Sequence, residues 1–102
     1  MALYATRIFV IRGFRDKATA MVFSGGLPRG MARDLADGAR RKLRALDPAE
    51  RLEDLRVPPG NQLEALSGDR ADQHAIRVNN QWRVVFVWRD DGAHAVEIVD
   101  YH

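Results

Sequence analysis

The chain has 102 residues with a formal net charge of +2 at pH 7, 46% hydrophobic and 29% charged residues, and no cysteine. This length predicts one domain covering residues 1–102, and the composition excludes a disordered chain. No apolar run approaches the roughly 18 residues that a membrane span needs, and the lack of cysteine excludes disulfides and thiolate metal sites. We therefore expect a soluble cytoplasmic protein.

The positive charge is concentrated in the first part of the chain. Residues 1–60 carry 12 Lys and Arg against 7 Asp and Glu, whereas residues 61–102 carry 4 against 7. Arginine supplies 14 of the 16 basic residues, and its planar guanidinium binds phosphate or carboxylate through two parallel hydrogen bonds. Two explanations stay open, namely a surface for an anionic partner and the amino-acid usage of a GC-rich genome.

The N-terminal part predicts a strand followed by a short helix. A β-branched and aromatic run over residues 6–11 is typical of a strand. Apolar residues then recur at helical spacing from Phe14 to Val22. Gly25 and Gly26 follow, and we expect them to end this first helix.

A second helix is predicted to begin at Pro28, because Pro is favoured at the first helical position, and to end at Asp47. Gly30 and Gly38 inside it cost about 1 kcal/mol each relative to Ala, so the helix depends on packing against a sheet. Its apolar positions form one stripe: Ala32, Leu35, Ala36, Ala39, Leu43 and Leu46. The opposite face carries four arginines: Arg33, Arg40, Arg41 and Arg44. That face is either a solvated surface or a docking surface for a polyanion or an acidic partner.

After Gly60 the hydrophobic period changes to two, which indicates strands. Four strands are predicted, over residues 61–66, 73–78, 81–89 and 93–101. The order of strand, two helices and four strands predicts an α+β fold with two helices packed on one face of an antiparallel sheet.

The alternation of apolar residues predicts the register of the last hairpin. A three-residue loop over residues 90–92 would place Arg89 opposite Ala93, Phe86 opposite Val96 and Val84 opposite Ile98. This loop is favoured because it matches apolar residues with apolar residues on the face that the helices cover.

The loop over residues 79–81 makes a similar prediction for the other face of the sheet. It sets Arg77 directly opposite Arg83, although like charges across a ladder are destabilising. Tyr101 falls near Gln81 on that same face. The two arginines either pair with carboxylates (Glu64, Asp69 or Glu97) and keep the sheet soluble, or they form a site that binds phosphate.

The last three residues can take part in proton transfer. Cleavage of RNA by its own 2′-hydroxyl needs a base for that proton, an acid for the leaving 5′-oxygen, and cations on the phosphate. His102, with an ordinary pKa near 6.5, suits either proton-transfer role. Tyr101 can stack on a nucleobase or donate a proton, and Asp100 can orient His102 or act as the base. The three histidines lack metal-ligand spacing, so neither a metal nor a cofactor is expected.

Several motifs resemble those of a known family. They are Pro-Pro-Gly-Asn at 58–61, Leu-x-x-Leu-x-Gly-Asp at 63–69, Ile-Arg-Val-Asn at 76–79, Gln-Trp-Arg at 81–83 and the terminal Asp-Tyr-His. In this combination, and over nearly the whole chain from about Ile11, the sequence resembles the HigB branch of the RelE-type toxins.

The resemblance implies a compact toxin with two helices on an antiparallel sheet, which acts as a ribosome-dependent endoribonuclease on mRNA in the A site. It implies a HigA-like helix-turn-helix antitoxin as partner, and binding to operator DNA only through the toxin–antitoxin complex. Asp100, Tyr101 and His102 match the family's catalytic ending, and Arg77 and Arg83 match positions where the family is expected to contact phosphate. Glu64 is a further catalytic candidate, and Arg70 is a further phosphate-binding candidate.

Two positions depart from the family pattern. Glu64 stands where well-known relatives have His, and Ser67 stands where they have Lys. Glu64 can still serve as a base, but a missing cation would weaken catalysis. An alternative therefore stays open, in which the protein is a catalytically weak homologue that acts mainly as the antitoxin's partner in repressing the operon.

Overall fold

The computed structural model describes residues 10–101, in which two helices lie on one face of a four-stranded antiparallel sheet. The elements are α1 Lys17–Phe23, α2 Arg33–Leu46, β1 Glu64–Ala65, β2 His74–Arg77, β3 Trp82–Arg89 and β4 Gly92–Asp100, and the strand order is β1-β2-β3-β4. The predicted α+β fold is confirmed. None of the described helices is long and apolar enough to cross a membrane.

The predicted first strand falls mainly on residues 6–9, which lie outside the described residues. The segment over residues 12–15 instead lies parallel beside β4. Arg12 N donates to Ala93 O over 2.7 Å, Val96 N donates to Gly13 O over 3.0 Å, and Arg15 N donates to Val96 O over 2.9 Å. This segment therefore covers the outer edge of β4 near Val96.

The two helices begin later than the sequence predicts. Asp16 caps α1, because its Oδ1 accepts from Thr19 N over 2.7 Å. The prediction that α2 begins at Pro28 is wrong, since α2 begins at Arg33. Gly30 has φ +83°, a left-handed conformation that no α-helix contains, so the chain must turn before the helix begins.

Helix α2 packs closely on the sheet and supplies much of the core. Its buried stripe is Leu35, Ala36, Gly38, Ala39, Leu43 and Leu46. Four of them, Ala36, Ala39, Leu43 and Leu46, join a cluster that includes Ile76, Val84, Phe86 and Val96, so the helices cover the even-numbered face of the sheet. A Cβ added to Gly38 would lie 3.3 Å from Val78 Cγ1. The missing side chain therefore allows the helix to approach the end of β2.

The β3–β4 hairpin has a two-residue turn, so the predicted three-residue loop is wrong. Arg89 pairs with Gly92, not with Ala93. The register then shifts between Val85 and Val87, where Ala95 has φ +50°. This β-bulge contains one extra residue of β4, which the prediction had placed in the loop.

The inner part of the hairpin keeps the predicted pairing. Val84 lies opposite Ile98, and Arg83 lies opposite Val99. The backbone of β4 is also held from the helix side, because Ile98 N donates to Thr19 Oγ1 over 3.1 Å. The end of β4 that leads to the last residues is therefore fixed by β3 on one side and by α1 on the other.

The connection between α2 and β1 is built around a buried asparagine. Two 3₁₀ turns, Leu52–Arg56 and Pro59–Asn61, precede β1. Asn61 is 1% exposed, and its Nδ2 donates to Leu55 O over 3.1 Å and to Val57 O over 3.3 Å. Asn61 thus belongs to this connection, and the strand predicted over residues 61–66 is reduced to Glu64–Ala65.

Candidate active site

The face of the sheet away from the helices carries four of the predicted site residues. Glu64 pairs with Ala75, Arg77 pairs with Arg83, and Arg83 pairs with Val99. Since side chains alternate along a strand, Glu64, Arg77 and Arg83 share this face, and Tyr101 follows two residues after Val99. The sheet therefore gathers a carboxylate, two guanidinium groups and a phenol from four separate parts of the chain.

Neither arginine of the pair has a salt-bridge partner among residues 10–101. Arg77 lies directly opposite Arg83, as predicted, and its Nη2 donates to Asn80 Oδ1. Arg83 Nη1 donates to Asn79 O over 2.7 Å and to Trp82 O over 3.1 Å. Neither guanidinium forms a salt bridge with a described carboxylate, so the alternative in which both arginines pair with acidic residues is wrong.

The hydrogen bonds of Arg83 hold its guanidinium in place without neutralising it. Its Cζ lies 4.8 Å from the centroid of the Tyr101 ring, which is within cation–π range. Its buried Nε has no hydrogen-bond partner among the described residues. A rigid, unneutralised cation next to an aromatic ring is suited to binding a nucleotide phosphate beside a stacked base.

Tyr101 is positioned by its backbone and by Glu64. Its amide N donates to Gln81 O over 2.6 Å, which confirms the predicted proximity to Gln81. Its hydroxyl donates a hydrogen bond to the Glu64 carboxylate, and this bond and the negative charge of Glu64 raise the pKa of Tyr101. The phenol is therefore protonated at neutral pH and can donate its proton.

The Glu64–Tyr101 hydrogen bond predicts an alkaline transition. Because the pKa of Tyr101 is raised in the folded protein, the bond stabilises the fold below the ordinary value of 10.0 and is lost as pH rises through the raised pKa. We expect Glu64→Gln to lower the pKa of Tyr101, as followed by the ultraviolet absorbance of tyrosinate, with Tyr101→Phe identifying the signal. Superimposable titrations of the wild type and Glu64→Gln would contradict the assignment.

Asp100 lies on the other side of the strand from Tyr101. It pairs with Trp82, and its exposed carboxylate Oδ2 accepts from Gln81 Nε2 over 3.0 Å. Asp100 thereby holds Gln81, whose backbone carbonyl in turn holds the amide of Tyr101. His102 lies outside the described residues, so its catalytic role stays a prediction.

Arg70 has a carboxylate partner, unlike Arg77 and Arg83. Its Nη1 donates to Gln73 Oε1 over 2.8 Å and to Glu97 Oε1 over 3.2 Å. Glu97 is only 8% exposed, and it also binds Arg15 Nε over 2.7 Å. Arg70 therefore shares in neutralising a buried carboxylate, and its predicted role in binding phosphate stays a prediction.

The loop between β2 and β3 contains residues that hold the arginine pair, and the sequence indicated this loop only as a turn. Asn79 Oδ1 accepts from Gln81 N and from Trp82 N, each over 2.8 Å, which fixes the loop. The carbonyl of Asn79 and the side chain of Asn80 then bind the two arginines. Asparagine's tendency to hydrogen-bond to its own backbone two residues on was the available signal.

The arrangement provides the groups that acid–base cleavage of a phosphodiester requires. Two cations can stabilise charge on a phosphate, a carboxylate can accept a proton, and a protonated phenol can donate one. Within residues 10–101, no group of three or more His, Cys, Asp or Glu is arranged to hold a metal ion.

Comparison with known proteins agrees with this chemistry. Residues 12–102 match the model of a family described as the RelE-like toxin of the type II toxin-antitoxin system HigB. Toxin HigB-1 of Vibrio cholerae is 50% identical over 50 residues, which cover 49% of this chain and 53% of that protein. Endoribonuclease HigB of Proteus vulgaris is 28% identical over 93 residues, which cover 91% of this chain and 100% of that protein. The chain thus aligns with about half of the first relative and with the whole of the second.

Proposed function

Since the chain belongs to the HigB-like family of RelE-type toxins, we propose that it is the toxin of a type II toxin–antitoxin system and cleaves mRNA on the ribosome as a metal-independent endoribonuclease. Membership of this family implies an antitoxin partner. The Proteus vulgaris relative carries the name endoribonuclease, which supports RNA cleavage as the activity.

One observation carries the proposal, namely that the unneutralised Arg77–Arg83 pair lies on the same face as the hydrogen-bonded Glu64 and Tyr101. Like charges directly across a ladder oppose folding, so the pair is better explained by an anion that binds there than by stability. A phosphodiester supplies that anion, and the phenol and carboxylate supply the proton transfers.

The reaction follows from these groups. Glu64 or His102 takes the proton from the 2′-hydroxyl, and the 2′-oxygen attacks the adjacent phosphorus. Arg83 and Arg77 stabilise the negative charge that develops on the phosphate oxygens. The bond from phosphorus to the 5′-oxygen then breaks, and Tyr101 or His102 donates a proton to the leaving oxygen. The products are a 2′,3′-cyclic phosphate and a free 5′-hydroxyl.

The partners and the location follow from this activity. The mRNA is presented by the ribosome in its A site, and the protein acts in the cytoplasm. A HigA-like helix-turn-helix antitoxin neutralises it, and the complex binds operator DNA through the antitoxin. Asp100 supports the site by holding Gln81, and Arg70 contributes positive charge beyond the Arg77–Arg83 pair.

The alternative of a catalytically weak antitoxin partner is not favoured. Ser67 does not supply the cation that relatives carry at this position, but Arg77 and Arg83 remain on the site face. The Proteus vulgaris relative, which the chain covers in full, is named for its nuclease activity.

Mapping mRNA ends after expression without the antitoxin tests the proposal. We expect new 5′ ends within translated codons and growth arrest with the wild type, and both effects should be lost with Tyr101→Phe and with His102→Gln. His94→Gln is the matched control, because His94 lies at the β3–β4 turn, where it pairs with Asp91. If no new ends appeared while the toxin–antitoxin complex still bound its operator, the repression role would replace the enzyme.

A further inference from the structure

The part-buried Lys and Arg side chains of the described residues fall into two groups, those with a carboxylate partner and those without one. Across residues 10–101 there are five such residues: Arg40, Lys42, Arg70, Arg77 and Arg83. Arg40 pairs with Asp37, and Arg70 pairs with Glu97. The other three have no described carboxylate within salt-bridge distance. Two of those three form the arginine pair of the site, and the third, Lys42, belongs to α2.

The structure places Lys42 next to the end of the strand that carries Arg77. Helix α2 approaches this end closely, because Gly38 lies against Val78. From the next turn of the helix, Lys42 Nζ donates to Asn61 Oδ1 over 2.5 Å. Asn61 ends the 3₁₀ turn that packs beside β2 and precedes β1. A neutral amide therefore fixes the ammonium group, and no described carboxylate neutralises it.

The charged groups nearest to Lys42 include two arginines. Its pKa is lowered by partial burial and by the positive charges of Arg41 and Arg77. Arg41 is exposed on the adjacent position of α2. These cations lie close enough to repel one another, and a bound anion would relieve that repulsion.

We propose that Arg41 and Lys42 extend the phosphate-binding surface of Arg77 and Arg83 around the end of the sheet, and that they bind a backbone phosphate of the same mRNA strand outside the scissile linkage. We call these four residues the cationic track. This inference rests on the proposed RNA cleavage and adds a second point of contact for the substrate. Such a contact binds backbone rather than base, so it fixes the position of the strand without sequence preference.

The experiment measures how salt affects the binding of a single-stranded 2′-O-methyl RNA, which cannot be cleaved because its 2′-oxygens are blocked. Each lost phosphate contact makes the slope of log K against log salt shallower by about 0.7. We expect this change with Lys42→Met, which keeps an apolar stem of similar length. Lys17→Met is the matched control, since Lys17 is the other lysine of the chain and lies exposed at the start of α1.

A second variant covers the case in which Lys42→Met fails to fold. Arg41→Met changes an exposed side chain and should make the slope shallower in the same way, while Lys42→Arg should keep the wild-type slope. The inference is overturned if Arg41→Met, and Lys42→Met where it folds, keep the wild-type slope. It is also overturned if they weaken only the binding of the antitoxin or of empty ribosomes. If the wild type binds this RNA but cleaves no mRNA, the proposed function fails instead.

Discussion

Replacing Arg83 with alanine is expected to reduce mRNA cleavage by about 10²–10³-fold, the usual loss when one preorganised group that stabilises transition-state charge is removed. Arg83 is held by the carbonyls of Asn79 and Trp82 and lies over the ring of Tyr101. Its charge is thus in place before the phosphate arrives. Loss of this charge should lower kcat more than it raises KM, because negative charge on the phosphate grows in the transition state.

The fold should survive this change, since Arg83→Ala removes a like-charge repulsion across the ladder. The measurement is cleavage of a defined mRNA in a purified translation system, together with urea denaturation. Arg89→Ala is the matched control, because Arg89 lies exposed at the far end of the same strand. Arg83→Lys should recover only part of the activity, since an ammonium group cannot form two parallel bonds to phosphate. An Arg83→Ala protein as active as Arg89→Ala would exclude Arg83 from the reaction.

Replacing Asn61 with alanine is expected to lower the free energy of unfolding by about 1–3 kcal/mol, which is the cost of leaving one buried polar group without its hydrogen-bonding partner. Asn61 is 1% exposed and binds the carbonyls of Leu55 and Val57 and the ammonium of Lys42. The Leu55 carbonyl would lose its partner at a buried site, and the part-buried Lys42 ammonium would lose the amide that fixes it. Val57 is exposed, so its carbonyl can bind water instead.

Urea denaturation measures this effect as a lower midpoint with an unchanged slope. Asn80→Ala is the control of the same residue type, and as an exposed loop substitution it should change stability by less than about 0.5 kcal/mol. Equal midpoints for Asn61→Ala and Asn80→Ala would mean that the connection before β1 does not depend on the buried amide.

Alternation along the strands was sufficient to predict which side chains share a face of the sheet. The opposition of Arg77 and Arg83 and the pairing of Val84 with Ile98 follow from a period of two and from one buried face. The start of α2 could not be predicted in this way. Pro28 is compatible with a helix, and only the left-handed backbone of Gly30 excludes one there.

Contacts between residues that are far apart in the chain also could not be predicted from the sequence. Whether Glu64 binds Tyr101 depends on how the sheet twists between β1 and the end of β4, and residue spacing carries no information on that twist. The pairing of Arg70 with Glu97 depends on where the turn at Gly68–Arg70 lies over the sheet. The position of Lys42 beside the end of β2 depends on the close approach of α2 at Gly38, which helical periodicity does not predict.

The bulge in the β3–β4 ladder isolates the site from the tip of its hairpin. On the tip side Val87 pairs with His94, whereas on the site side Val85 pairs with Glu97, which is one residue out of step. If the tip slid by one residue, so that Arg89 paired with Ala93 and the turn held three residues, both halves would be in the same step and the bulge would disappear, with Arg83 still opposite Val99. The tip is therefore the place where related toxins can differ in length, or where a short peptide tag can be inserted, without displacing the arginine pair.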